Sequence, residues 1–95
     1  MPQIFKMEPR SASKRLGLTG CNVSVPLSQS EVLDTVKKWD NNPNPEQNQE
    51  WIKLIANQKS GDELRMVSCK VGDPYFYALF RNDAILYKFH PVILD

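Results

Sequence analysis

The chain has 95 residues, a formal net charge of +1, and 41% hydrophobic against 24% charged residues. This length allows a single domain, residues 1–95, and this composition is typical of a folded rather than a disordered chain. The near-neutral charge excludes an overall field that would select nucleic acid, membrane or an acidic substrate.

Residues 1–27 have a net positive charge and the fewest structural signals, and their polar stretch Arg10–Lys14 is predicted to be a loop. Residues 1–20 hold four cations against one acid. The alternation of Val23, Val25 and Leu27 around Pro26 predicts only a short edge strand, since proline lacks a ladder donor. The start of the chain lacks an apolar signal core, so we expect a cytoplasmic protein in which Cys21 and Cys69 are free thiols, although the two cysteines would allow one bridge.

Two helices follow. Ser28 and Glu31 have the spacing of a capping box, and Val32, Leu33, Val36 and Trp39 then form one apolar stripe. The second helix is predicted to begin with Asn44 as its cap and Pro45 in its first turn. Trp51, Leu54 and Ile55 form its apolar stripe.

From residue 62 the hydrophobic period becomes two, which predicts strands at about 62–71, 74–81 and 84–91. Gly72-Asp73 and Asn82-Asp83 are the candidate two-residue turns. The fold class is therefore α+β: two helices followed by a three-stranded antiparallel meander, with the helices packed on one face of the sheet.

Two-residue turns assign every side chain of the sheet to a face. The predicted core face, which the helices should cover, is apolar except for Arg65 at one end; it carries Val67, Cys69, Phe76, Ala78, Phe80, Ile85, Tyr87 and Phe89. The opposite face carries Leu64, Met66, Leu79 and Leu86, which is more apolar than a solvated face. These four residues, or the apolar tail at 92–94, predict an interface with a second copy of the chain or another protein.

The same opposite face also carries the one group of residues with a binding chemistry: Tyr75, Tyr77, Lys70, Lys88 and His90. Aromatic rings on a sheet stack bases while cations contact phosphates. Tyrosine and lysine are also ordinary strand residues, and no RNA-binding motif is present, so nucleic acid is not expected as the main partner.

No catalytic residue, metal site or cofactor is predicted. His90 is the single histidine and has no predicted carboxylate or nucleophile opposite it, and the glycines match no phosphate-binding motif. An enzyme is the third hypothesis, since it would need an acid brought to His90 from elsewhere in the fold.

Two segments, Ser60–Arg65 and Tyr77–Asp83, resemble the C-terminal hairpins of small uncharacterised bacterial proteins of the mobile integron gene-cassette type. The resemblance covers the last third of the chain. It implies a bacterial cytoplasmic protein, often oligomeric, with no catalytic residue to carry over.

The leading hypothesis for the function is a non-enzymatic protein-interaction module acting as a homodimer. The alternative is a binding module for a small ligand or single-stranded nucleic acid on the Tyr75/Tyr77 face.

Overall fold

A computed structural model describes residues 5–39, 42–69 and 75–91 and shows an α+β fold. Its helices are α1 (Arg10–Arg15), α2 (Gln29–Trp39) and α3 (Gln49–Asn57), with a 3₁₀ turn at Pro45–Gln47; its strands are β1 (Asn22–Val23), β2 (Glu63–Ser68), β3 (Phe76–Arg81) and β4 (Ala84–Phe89). The α+β class is confirmed, but the described residues form three helices and four strands instead of two and three. β1 contains Val23 of the predicted edge strand, whereas α1 replaces a predicted loop.

The capping box predicted for the first long helix is present at the start of α2. The Ser28 amide donates to Oε1 of Glu31 at 2.9 Å, and the Glu31 amide donates to Oγ of Ser28 at 3.1 Å. Val32 and Val36 are fully buried. The side chain of Trp39 lies outside the described part of the chain.

The predicted start of the next helix is wrong by four residues. Asn44 and Pro45 begin the 3₁₀ turn, and α3 has Asn48 as its cap. The Asn48 Oδ1 atom accepts from the amides of Glu50 at 2.8 Å and Trp51 at 3.4 Å. A proline in a first turn suits either helix type, so the sequence signal alone did not distinguish them.

The four strands form one antiparallel sheet in chain order, so β1 and β4 are its edges. Val67 pairs with Phe76, whereas the predicted partner of Phe76 was Cys69. The register is thus displaced by two residues, and the Gly72-Asp73 turn lies outside the described residues. An even displacement leaves each side chain of β2 and β3 on its predicted face.

The β3–β4 hairpin turns at Asn82-Asp83 as predicted, and both residues have the positive φ of a type I′ turn, 51° and 62°. The prediction fails further along β4. Phe80 pairs with Ile85 but Leu79 pairs with Tyr87, so Leu86 is an extra residue in a β-bulge. Beyond this point every β4 side chain points to the face opposite to its predicted one.

Both faces of the sheet are covered, and each has its own core. The α2–α3 face carries Leu64, Tyr77, Leu79 and Phe89, which pack with α2, α3, Phe5 and Leu27. The α1 face carries Val67, Ala78 and Phe80, which pack with Leu16 and Val23 from the N-terminal segment. The helices therefore cover the face that the sequence left open, and the N-terminal segment covers the face that the helices were expected to cover.

Candidate functional site

The described members of the predicted aromatic and cationic surface are divided: Tyr75 and Tyr77 lie together, with ring centroids 5.9 Å apart, but Lys88 and His90 lie beside Phe76 instead. Tyr77 is fully buried and stacks on Phe89, with ring centroids 6.0 Å apart. Tyr75 is half-buried against the same core. The bulge moves Lys88 to the α1 face, where its Nζ lies 5.1 Å from the centroid of the Phe76 ring. Lys70 and the tail at 92–94 lie outside the described residues.

The predicted interface residues are mostly used inside the molecule. Leu64 is 1% exposed and Leu79 is 0% exposed, and Met66 packs half-buried against the same core. Leu86 is 39% exposed, because it is the bulged residue of edge strand β4. Helices α2 and α3 already occupy the surface that a second copy was expected to cover.

His90 has a carboxylate partner that sequence spacing did not reveal. Its Nδ1 lies 3.0 Å from Oε2 of Glu50, and its amide donates to Oε1 of Glu50 at 3.0 Å. The imidazole also contacts the Phe76 ring, with centroids 5.6 Å apart. Such a carboxylate can orient a histidine for acid–base chemistry. Glu50 is 40 residues away in sequence, so only the packing of α3 near the end of β4 brings the pair together.

A groove of about 500 Å³ lies between α1 and the loop that follows it. Its walls are contributed by Arg10, Ser11, Ser13 and Lys14 of α1, by Thr19, Gly20 and Cys21 of the loop, and by Asn22 of β1. Its described lining residues thus supply two cations, three hydroxyl groups and a side-chain amide, and none of them carries a carboxylate. We call it the α1 groove.

The loop wall of the α1 groove is fixed to the helix by hydrogen bonds. Ser13 Oγ donates to the carbonyl of Cys21 at 2.7 Å, and the amide of Leu18 donates to the carbonyl of Ser13 at 2.8 Å. The chain leaves α1 and turns back through Gly17 and Gly20, whose φ values are +74° and +87°. Since side chains rarely adopt this conformation, these glycines allow the loop to return so tightly.

The two cations of the α1 groove have no ionic partner among the described residues. Arg10 and Lys14 are exposed and form no ion pair within residues 5–39, 42–69 and 75–91. Their spacing of four residues places them on one face of α1, where like charges repel. Arg15, on the same helix, differs because its Nη1 lies 3.2 Å from Oδ1 of Asp83. Two cations without a described ionic partner therefore lie together on one wall of the groove.

One wall of the groove carries a disulfide. Cys21 is bonded to Cys69, and the pairs Asn22–Ser68 and Val23–Val67 continue directly from it. The bridge is thus the next position of the β1–β2 ladder. The expectation of free thiols is wrong, and so is the placement of Cys69 in the core, because its side chain is exposed.

A second cavity, of about 370 Å³, is lined by Lys59, Ser60, Gly61, Asp62, Arg81 and Asn82, but its main charges are paired. Arg81 donates from Nε to Oδ1 of Asp62 at 2.9 Å and from Nη2 to Oδ2 at 2.7 Å. These bonds, together with the Lys59 amide, lower the pKa of Asp62 from 3.8 to about 2. The same hydrogen bonds to Asp62 raise the pKa of Arg81. This cavity therefore holds a structural ion pair that ties the loop before β2 to the end of β3.

Within the described residues, no group of three or more His, Cys, Asp or Glu side chains is arranged to hold a metal ion. None of the described helices is both long enough and apolar enough to cross a membrane.

The α1 groove was not predicted from the sequence, because the stretch that forms α1 was interpreted as a loop. The i,i+4 spacing of Arg10 and Lys14 is the signal that could have indicated a helix there. Comparison of the chain with protein-family models, curated proteins and solved structures found no match.

Proposed function

We propose that the protein is a binding module for a small anionic molecule, which it holds in the α1 groove. The observation that carries this proposal is the pair of exposed, unneutralised cations, Arg10 and Lys14, on the wall of a groove of about 500 Å³. Two like charges at this spacing cost α1 stability. A bound anion would offset that cost, since each cation would gain a charge-assisted hydrogen bond.

The remaining lining residues define the class of ligand. Ser11, Thr19 and Asn22 offer hydroxyl and amide groups beside the two cations, which suits phosphate or carboxylate oxygens. The volume lies in the range of small-molecule sites. Among the part of the chain that the structure describes, no aromatic side chain lines the groove, so these residues offer no platform for stacking bases. A compact polar anion fits this chemistry better than single-stranded nucleic acid does.

This proposal retains the hypothesis of a small-ligand binding module but places the binding site in the α1 groove instead of on the Tyr75/Tyr77 face. The interface hypothesis is weaker because Leu64 and Leu79 pack within the chain. We also propose a cytoplasmic location. Disulfides in that compartment are usually transient and catalytic or redox-sensing rather than structural.

Isothermal titration calorimetry at low ionic strength tests the function, with inorganic phosphate, pyrophosphate and citrate as probes and glycerol as the neutral comparison. We expect saturable binding of at least one anion by the wild type. The double variant Arg10→Gln/Lys14→Gln should weaken that binding by about tenfold or more, because two charge-assisted contacts are lost.

The matched control is Lys6→Gln/Lys53→Gln, which removes the same net charge at two exposed lysines outside the groove. Its anion affinity should stay within about twofold of the wild type, because remote exposed charges are screened. Equal losses in both double variants would mean that overall charge, not the groove, binds the anion. A wild type that binds none of the three probes would overturn the proposal.

A further inference from the structure

We propose that the anion held in the α1 groove is a small anionic thiol and that the protein exchanges its Cys21–Cys69 disulfide with it. This inference rests on the proposed binding function and names its substrate class. It adds a reaction to the site, thiol–disulfide exchange.

The first support is the position of the disulfide. Cys21 lines the α1 groove together with Arg10 and Lys14, so a ligand bound there lies beside one half of the bridge. Cys21 is half-buried and Cys69 is exposed. The other half of the bridge therefore faces solvent, where a departing thiolate can be hydrated and protonated.

The second support is electrostatic. The attacking group in exchange is a thiolate, and the transition state carries its negative charge over three sulfur atoms. Cations beside a cysteine stabilise its thiolate form. Arg10 and Lys14 would thus act twice: they attract the carboxylate or sulfonate of the thiol, and they stabilise negative charge at Cys21.

The first step forms one bond as it breaks another. The thiolate sulfur of the ligand attacks Sγ of Cys21, and the Cys21–Cys69 bond breaks with its electron pair leaving on Sγ of Cys69, which takes a proton from water. A second thiolate then attacks the ligand sulfur of the mixed disulfide, and Cys21 leaves as a thiolate. Two thiols have then supplied two electrons, giving one ligand disulfide and one reduced protein. The reverse reaction uses the ligand disulfide as the oxidant.

The groove dictates which sulfur is attacked and which thiols react fast. A ligand held by Arg10 and Lys14 is presented to Cys21, not to Cys69 on the solvent side. A thiol with no second anionic group is not held by the two cations and gains only the weak, solvent-screened stabilisation of its sulfur charge, so they accelerate it much less.

The test compares second-order rates of disulfide reduction by mercaptoethanesulfonate, which is anionic, and by 2-mercaptoethanol, which is neutral. Rates are followed by acid quench, alkylation and mass spectrometry of the full chain. In Arg10→Gln/Lys14→Gln we expect the anionic thiol to react about tenfold more slowly and the neutral thiol to change by less than about twofold. Lys6→Gln/Lys53→Gln should change neither rate by more than about twofold. Comparing each thiol with itself across variants cancels the differences in their intrinsic reactivity.

Peptide mapping of the quenched mixed disulfide gives a second readout, and we expect the ligand on Cys21. A ligand found mainly on Cys69, or equal slowing of both thiols in Arg10→Gln/Lys14→Gln, would overturn the inference. Binding of phosphate, pyrophosphate or citrate separates it from the proposed function. If those anions bind through Arg10 and Lys14 but the two thiols are not distinguished, only the exchange activity is wrong.

Discussion

Arg65 lies in the sheet with its side chain only 3% exposed and donates from Nη1 to the carbonyl oxygen of Ser24 at 2.9 Å. The same guanidinium contacts Oε1 of Glu63 at 3.0 Å and Oε2 of Glu8 at 3.4 Å. This buried cation therefore joins β2 to two parts of the N-terminal segment, one at Glu8 and the other at Ser24.

Replacement of Arg65 by alanine should lower the free energy of unfolding by about 3 kcal/mol, because it removes a buried side chain and leaves a carbonyl and two carboxylates without their donor. Urea denaturation followed by circular dichroism measures this. Arg15→Ala is the control, since its ion pair with Asp83 is half-exposed. Its effect should stay below about 1 kcal/mol. Similar losses in both variants would contradict the role given to Arg65.

Leu64→Ala should cost about 3 kcal/mol of unfolding free energy, since the side chain is 1% exposed between the sheet and the helices. The loss should not depend on protein concentration, because the contacts are within one chain. Leu86→Ala, at an exposed position, should change stability by less than about 0.5 kcal/mol. Homodimerisation remains a prediction, which light scattering tests. A loss that is largest at high protein concentration and shrinks on dilution would show that Leu64 packs against a second copy.

Asn48→Ala should destabilise the protein by about 1 kcal/mol, because the side chain accepts two amide hydrogen bonds at the start of α3. Asn44→Ala is a matched control, since its side chain makes no cap hydrogen bond. It should cost less than about 0.5 kcal/mol. Thermal unfolding of the two variants ranks them, and the reverse order would restore Asn44 as the cap predicted from the sequence.

Asp62 should contribute to acid unfolding. Its pKa is lowered from 3.8 to about 2 in the folded protein, chiefly by the hydrogen bonds from Arg81. A lowered folded pKa gives stability that is fully present above the unfolded value and is lost as the pH falls towards the folded value. Urea titrations from pH 5 to pH 2 should therefore show a smaller decrease in stability for Asp62→Asn than for the wild type. Arg81→Gln should show the same flattening; an unchanged slope in that variant would mean that Arg81 is not the cause.

Local signals in the sequence predicted local structure well. The Ser28–Glu31 capping box and the Asn82-Asp83 turn each depend on residues a few positions apart, and both are present. The start of α3 was missed because Asn44 and Asn48 are equally good caps, and the choice between them depends on how the preceding turn packs.

The assignment of faces was less successful, because it depends on every intervening residue. A single bulge at Leu86 inverted the rest of β4 and moved Lys88 away from Tyr77. No glycine or proline in β4 marks this bulge, so periodicity alone could not place it. The sequence also assigned the two helices to the wrong face, since both faces are apolar and alternation does not say which one a helix will cover.

The α1 groove and the Glu50–His90 pair could not be predicted, for a different reason. A cavity depends on the path of the backbone, and the path of residues 10–22 is set by packing against β2 and β3. Two cations at i,i+4 become neighbours only once α1 is known to be a helix. Contacts between residues 40 positions apart, as for Glu50 and His90, are fixed by the fold as a whole.

The sheet separates an α2–α3 layer from an α1 layer, and the two layers can differ in how well they tolerate substitutions. The α2–α3 layer contains the larger core and no part of the groove, while the α1 layer contains the groove, the disulfide and a smaller core. Substitutions that tune ligand chemistry on one side therefore need not disturb the packing that keeps the chain folded on the other. For engineering, residues 10–22 offer a surface that can be redesigned while the helices on the far side serve as the scaffold.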